Sequence, residues 1–281
     1  MRRKGIDKIP LKPFFFDKNR YFKESIMRFT VINGKRFIKC ICVFLAVLVV
    51  LLLLPLSGAD AVFYGKTSRK LPVYRVETDE KKVAISFDCA WGVDYTDKLL
   101  NVMESEGVKC TFFMVEFWVN KHPDYVKKII DSGHEIGTHS ATHPHMSKLE
   151  KSAIVKELST SKSAIENITG KKVEVFRPPF GEYNDLLIDT ANELDLISVQ
   201  WDVDSLDWKD LSAKEIENRV VGRVQNGSIV LFHNQGLYTH EALPNIIRTL
   251  KEKGFEFVRI GDLVYRENYT MLPDGTQRLN S

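Results

Sequence analysis

From residue 83 onward the chain alternates two kinds of hydrophobic pattern. Short β-branched or aromatic runs stand at 83–88 (VAISFD), 110–115 (CTFFMV), 134–138 (HEIGT), 173–176 (VEVF), 196–201 (LISVQW), 228–233 (SIVLFH) and 256–260 (EFVRI). Each reads as a strand. Between them lie segments with apolar residues at helical spacing, at 97–106, 123–132, 149–168, 183–194, 212–225 and 241–253. Gly107, Gly133, Gly170, Gly227 and Gly254 sit just past the ends of several of these, where a left-handed residue closes a helix. Seven strands alternating with helices predict an α/β fold, a distorted parallel (β/α) barrel of about seven strands.

The N-terminal part has a different pattern. Residues 1–39 are basic, 40–56 form an unbroken apolar block (CICVFLAVLVVLLLLPL), and a polar connector runs to residue 73. Seventeen apolar residues lie between a signal-peptide core and a full membrane span. Two readings follow, a cleaved signal peptide cut after Ala61 in the small-x-small pattern Ala59-Asp60-Ala61, or an uncleaved anchor. Met27 is an alternative start that gives a leader of ordinary length. In either case the positive-inside rule places the rest of the chain outside the cytoplasm. The expected organisation is therefore a leader at 1–39, a hydrophobic segment at 40–56, a linker at 57–73, a globular domain at 74–265 and a tail at 266–281.

Charge changes the picture once it is divided by position. The leader carries twelve Lys and Arg against three acidic residues, more than the whole chain's net +3, so the remainder is acidic. That argues against nucleic acid as a partner. Of four cysteines, Cys40 and Cys42 fall in the apolar block, leaving Cys89 and Cys110, enough for one bridge but not a disulfide framework. Size and fold class suggest a monomer.

Candidate chemistry gathers where a β/α barrel places it, at the C-terminal ends of strands. Asp88, His139 and His233 each end a predicted strand. In HSATH, His139 and His143 are four apart, a spacing that on a helical turn sets both imidazoles on one face for a metal, although a solvated or core histidine pair fits it too. In FRPPFGEY the two prolines stiffen the loop after Arg177, either to hold that arginine against a carboxylate or as an ordinary strand-to-helix turn. WDVDSLDW brings acids and tryptophans to another strand exit, where carboxylates can orient a histidine and Trp can face a sugar.

Taken in order, ISFDCAWG, HSATH, FRPPFGEY, DSLDW and IVLFHN resemble the five motifs of the polysaccharide deacetylases, the NodB-homology fold of carbohydrate esterase family four. The resemblance runs from Tyr74 to Tyr265, and the FD-x-x-WG form of the first motif is similar to the sporulation-associated PdaB-like branch. It implies a metal-dependent hydrolase that removes N-acetyl groups from peptidoglycan or spore-cortex glycan. By position it implies Asp88 as general base, His139 and His143 as metal ligands, Arg177 as the partner of the base and the backbone N–H near Phe180 as an oxyanion donor. It further implies Asp207, in preference to Asp204, as the acid that orients His233, with His233 as general acid and Trp208 and Trp91 as substrate walls. The implied cofactor is a divalent metal, zinc first and cobalt or another first-row ion next.

One position departs from the family. Cys89 stands where the family has a metal-binding Asp, and three readings stay open: a thiolate ligand, a small packing residue, or a bridge to Cys110. The alternative to an enzyme is a catalytically weakened or silent glycan-binding module, or a deacetylase of another acetylated polysaccharide such as chitooligosaccharide.

Overall fold

The computed structural model describes residues 34–53 and 69–280. The chain divides into two compact units, Met1–Thr67 and Ser68–Ser281. In the first, the end of the basic leader and the described part of the apolar block form helix α1 (Gly34–Leu53), on which Ile38, Val43, Phe44 and Val47 are exposed. Among the described residues no helix is long and apolar enough to cross a membrane. The alternative start at Met27 and the cleavage pattern at Ala59 to Ala61 lie outside the described residues.

The second unit is built from β1 (Arg75–Val76), β2 (Lys82–Cys89), α2 (Thr96–Ser105), β3 (Thr111–Met114), α3 (Glu116–Lys121), α4 (Pro123–Asp131), β4 (Glu135–Thr138), α5 (Lys151–Thr169) and β5 (Val175–Phe176). There follow α6 (Asp185–Glu193), β6 (Ile197–Ser198), β7 (Val203–Asp204), α7 (Ala213–Val221), β8 (Ser228–His233), α8 (Thr239–Glu252), β9 (Glu256–Phe257), α9 (Ile260–Leu263), β10 (Tyr269–Met271) and β11 (Thr276–Leu279). The sheet order is β10-β11-β1-β8-β2-β3-β4-β5-β6, with β7 beside β8 and β9 beside β2. The sheet curls into a half-barrel, and a parallel bridge between Val73, just before β1, and Val199, just after β6, draws those two strands together.

All the strands predicted from sequence are present and their neighbours among them are parallel. The sheet as a whole is mixed. β10 and β11 form an antiparallel hairpin, and β1 meets β8 antiparallel and β11 parallel. Residues 266–281, expected to be a tail, thus complete the sheet. The predicted strand 256–260 is shortened because its end turns into α9.

The two-residue period of the strands sorts side chains into two layers. On β2, Val83, Ile85, Phe87 and Cys89 face outward into the cluster shared with the helices, while Ala84 faces the inner cluster with Phe113, Val175, Val199 and Ile229. On β8 the outward row is Val230 and Phe232, and Ile229 is inward. Phe87 stacks on Phe112 with ring centroids 5.0 Å apart and lies 5.8 Å from Phe232, tying three adjacent strands under the helices. The inward row of each strand ends at the barrel mouth: Asp88 on β2 and His233 on β8, paired in register.

Entry into β8 depends on Gly227, whose φ of +75° is one that a side chain disfavours. A Cβ there would stand 1.8 Å from the carbonyl oxygen of Val76. Gly254, with φ of +87°, has only the flexible Lys81 side chain nearby, at 3.5 Å. Gly227→Ala is expected to cost about 3 kcal/mol, strain and displaced backbone together, or a fall in Tm of roughly 10 °C. Gly254→Ala, which adds only the conformational penalty, should cost about a third of that. Equal thermal shifts for the two variants would show that the Val76 contact does not constrain the fold.

Candidate active site

The mouth of the half-barrel opens into a cavity of about 700 Å³ whose lining includes Asp88, Trp91, His139, His143, Phe180, Asp207, Trp208 and His233. Arg177 stands directly behind it, fully buried after β5. Its Nη1 donates to Asp88 Oδ1 at 2.8 Å and its Nη2 to the Gln200 carbonyl at 3.1 Å. The guanidinium lies 4.2 Å from the centre of the Phe113 ring and 5.5 Å from that of Trp201. Burial alone would raise the Asp88 pKa, but the charges of Arg177, His139 and His233 hold it below the usual carboxylate value. Asp88 is therefore a carboxylate at neutral pH with Oδ1 committed and Oδ2 free.

His139 is fixed by Arg177 in a second way. Its Nδ1–H donates to the Arg177 carbonyl oxygen at 2.7 Å, which leaves the Nε2 lone pair facing the mouth. Burial pushes this imidazole down to about 4, so it is neutral. Nε2 lies 3.6 Å from Asp88 Oδ2, too far for a hydrogen bond. Two acceptors facing each other without a proton between them suit a cation.

HSATH is not the helical turn that its spacing suggested. Ser140 and His143 both have left-handed backbones, φ +75° and +59°, and the loop doubles back so that the two imidazole centroids lie 4.9 Å apart. Glu157 on α5 holds this loop, accepting from Ala141 N at 2.9 Å, Thr142 N at 2.8 Å and Thr142 Oγ1 at 2.7 Å. Ser140 Oγ accepts the His143 N–H at 3.0 Å. The His143 ring sits between Phe180, 4.6 Å away, and Trp91, 5.3 Å away.

Across the mouth, His233 Nδ1 lies 2.8 Å from Asp207 Oδ1, while the His233 backbone N–H and Thr239 Oγ1 donate to Asp207 Oδ2 at 2.8 and 2.7 Å. Burial pushes His233 down, yet the Asp207 bond and charge, aided by Asp88 and Asp204, raise it above its ordinary value. Asp204 instead accepts the Leu206 N–H at 2.8 Å and makes no bond to His233. Gly236 is required here, since a Cβ would lie 2.1 Å from Thr239 Oγ1 and 2.5 Å from Asp207 Oδ2. Trp91, Phe180 and Trp208 are 64%, 56% and 56% exposed, forming open aromatic walls.

Cys89 does not reach the cavity. It is 0% exposed in the helix-facing cluster, with Sγ 3.9 Å from the Phe87 carbonyl oxygen. Burial pushes its thiol pKa well up, so it stays protonated. The ligand reading fails on strand parity: β2 continues in register to Cys89, which turns the residue after Asp88 outward. The bridge reading fails too, because Cys89 and Cys110 are both free thiols. For a divalent metal, His139, His143 and Asp88 Oδ2 offer suitable donors, but among the described residues no group of three such side chains is arranged to hold an ion. The fit is to two imidazoles, with one protein ligand fewer than the family pattern implies.

Sequence reading missed the supporting residues. Asn234 Nδ2 donates to the carbonyls of Trp91 and Gly92 at 3.3 and 2.9 Å, Trp118 Nε1 donates to the Gly92 carbonyl at 2.7 Å, and together they tie the first motif to the fifth. Thr239 and Glu157 lie on helices outside the motifs, and only their three-dimensional contacts mark them.

A family model for polysaccharide deacetylase matches residues 75–199. The chain is 35% identical over 193 residues to the uncharacterized protein YlxY of Bacillus subtilis, covering 69% of this chain and 60% of that one. It is 33% identical over 196 residues to a peptidoglycan-N-acetylglucosamine deacetylase of Bacillus cereus, covering 68% of this chain and 92% of the relative. Among solved structures, BA3943 of Bacillus anthracis, described as a carbohydrate esterase family four pseudoenzyme, superposes with a TM-score of 0.67 at 31% identity, covering 75% of this chain and 73% of that one. A mutant of BA3943 described as having restored enzymatic activity superposes equally well, at 34% identity over 73% of this chain and 72% of that one. Matches of this extent to a relative covered almost end to end, with all five motifs meeting at one mouth, establish that the chain belongs to the polysaccharide deacetylase family.

Proposed function

We propose that this protein hydrolyses N-acetyl groups of amino sugars in peptidoglycan or spore-cortex glycan, releasing acetate. The observation that carries the reading is the placement of a carboxylate with a free oxygen, Asp88, in register with a histidine whose pKa is raised by a buried acid, His233 with Asp207. Amide hydrolysis needs such a pair, one group to take a proton from water and another to give a proton to the departing amine. The basic leader and apolar block support action outside the cytoplasm, by an anchored or secreted protein.

Asp88 Oδ2 accepts the proton from the attacking water, and Arg177 keeps the carboxylate oriented and ionised. The Phe180 N–H, on a left-handed residue at the rim, would donate to the developing oxyanion. His233 then protonates the sugar nitrogen, leaving a free amino sugar and acetate. Trp91, Phe180 and Trp208 give the sugar rings apolar faces to stack on. His139 and His143 would hold a divalent ion, zinc by the preference of imidazole, and when bound it acidifies water and polarises the acetyl carbonyl.

A second reading has its own observation. With Cys89 in the core the metal has lost a ligand, and a structural neighbour with 31% identity is described as a pseudoenzyme. A silent glycan-binding protein would keep the cleft and its aromatic walls without turnover.

Full-length protein stripped of metal and given zinc, cobalt or nothing separates the two when acetate release from purified peptidoglycan is measured. Metal-dependent release is the expected result; glycan binding without release under any condition would establish the silent reading. Asp88→Asn should lower kcat/KM by about 10²-fold or more while glycan binding is retained. Cys89→Ala should leave metal affinity, measured by calorimetry, within about twofold and lower only stability, by roughly 1 kcal/mol. A tenfold loss of metal affinity would return the thiol to the ligand set.

The Asp207–His233 bond predicts a pH effect. A general acid works below its pKa, so raising that pKa extends activity to higher pH. In Asp207→Asn the carboxylate support is gone, and the alkaline limb of kcat/KM should move to lower pH, as should the His233 ring titration followed by NMR. An unmoved limb would remove His233 from the role of acid.

A further inference from the structure

A second cavity, about 500 Å³ in volume, lies at the other end of the strands, beside the start of β4, and takes no part in the reaction described. At its edge is His134, only 2% exposed. Its Nδ1 accepts the Cys110 backbone N–H at 3.2 Å and lies 3.3 Å from Cys110 Sγ. Burial pushes the imidazole down to about 4, so the ring is neutral, and with Nδ1 an acceptor the proton resides on Nε2. That N–H has no partner among the described residues and belongs to a ring that lines the cavity. It is a donor open to the cavity and available to a ligand there.

The rest of the lining also offers donors that are not fully used. Arg259 commits Nε and Nη2 to Asp262, at 2.7 and 2.9 Å, and keeps Nη1 free. Arg266 commits one Nη to Glu174 at 2.8 Å. Lys171 makes no side-chain bond or ion pair among the described residues, and Lys172 lies 3.9 Å from both Glu174 and Asp195. On the acceptor side, Glu135 Oε2 takes Thr111 Oγ1 at 2.7 Å and the Gly261 N–H at 2.9 Å, while Oε1 is left over. Burial raises the Glu135 pKa above its ordinary value.

We propose that this cavity binds a small hydroxylated oxyanion, a carboxylate or phosphate carried on a polyol or sugar. The anionic group satisfies His134 Nε2–H, Lys171 and the spare N–H groups of Arg259 and Arg266, and a ligand hydroxyl donates to Glu135 Oε1. The cavity is of the size that holds single-sugar ligands. Carboxylate and phosphate share the recognition chemistry, and the test separates them.

Full-length protein is titrated calorimetrically with glycerol 3-phosphate and with glucuronate, and in parallel with inorganic phosphate, glycerol and glucose. At least one of the two hydroxylated anions should bind saturably with Kd below about 1 mM, and the neutral compounds should not bind. Whichever anion binds more tightly identifies the head group. Lys171→Glu and Arg266→Glu, both at the surface and outside the core, should each weaken binding about tenfold or more, and binding should weaken as salt rises. In wild type the His134 Nε2–H resonance should shift with the same titration midpoint. No saturable binding by either anion, or binding unchanged in both charge-reversed variants, overturns the proposal. Inorganic phosphate binding as tightly as glycerol 3-phosphate overturns the hydroxyl contact to Glu135.

Discussion

A single buried cation organises the active end of this protein. Arg177 is removed from water completely, a state that is strongly unfavourable unless the charge is paired and its hydrogen-bonding capacity largely used. Asp88 pairs the charge and the Gln200 carbonyl takes a second N–H, with the faces of Phe113 and Trp201 as lining, while Nε is left without a hydrogen-bond partner. The same residue's backbone carbonyl sets the tautomer of His139. A carboxylate, a metal-type imidazole and the strands carrying them are thus positioned from one place, and moving Arg177 would disturb both Asp88 and His139.

The strand period then decides which residues can join in. Because Asp88 and His233 end inward rows on neighbouring parallel strands, they face the same cavity without special loops. The same regularity excludes Cys89, whose direction is fixed by β2 pairing with β3 through Cys89 and Met114. His143 reaches the site by the opposite means, through a loop that departs from any regular period and is held by Glu157.

Legibility in the sequence followed the same division. Strands such as 228–233 were readable as continuous apolar runs buried on both faces, and helices such as 149–168 because their buried residues repeat at helical spacing. So were the ionisable residues at strand ends, since position in the fold and chemistry coincide there. The short pieces were not readable: β1 has two residues, α3 has six, and the β10–β11 hairpin is largely exposed, so none carries a repeating pattern. Nor could spacing reveal the left-handed path of HSATH, because four residues bring two rings together on a helix and in this loop alike. Thr239 and Glu157 required knowledge of which helix packs against which loop.

The pairing of β1 with β11 also bears on how the domain is assembled. Glu77 and Arg278, 201 positions apart, form an ion pair beside this junction, and the strands there join the first and last segments of the domain. Contacts of such long sequence separation form late and slowly, because most of the chain must be ordered first. A chain emerging from a ribosome or a translocation pore N-terminus first cannot close this sheet until β11 is free. Completion of the fold is therefore coupled to the emergence of β11, and loss of that strand leaves the assembly at its last step.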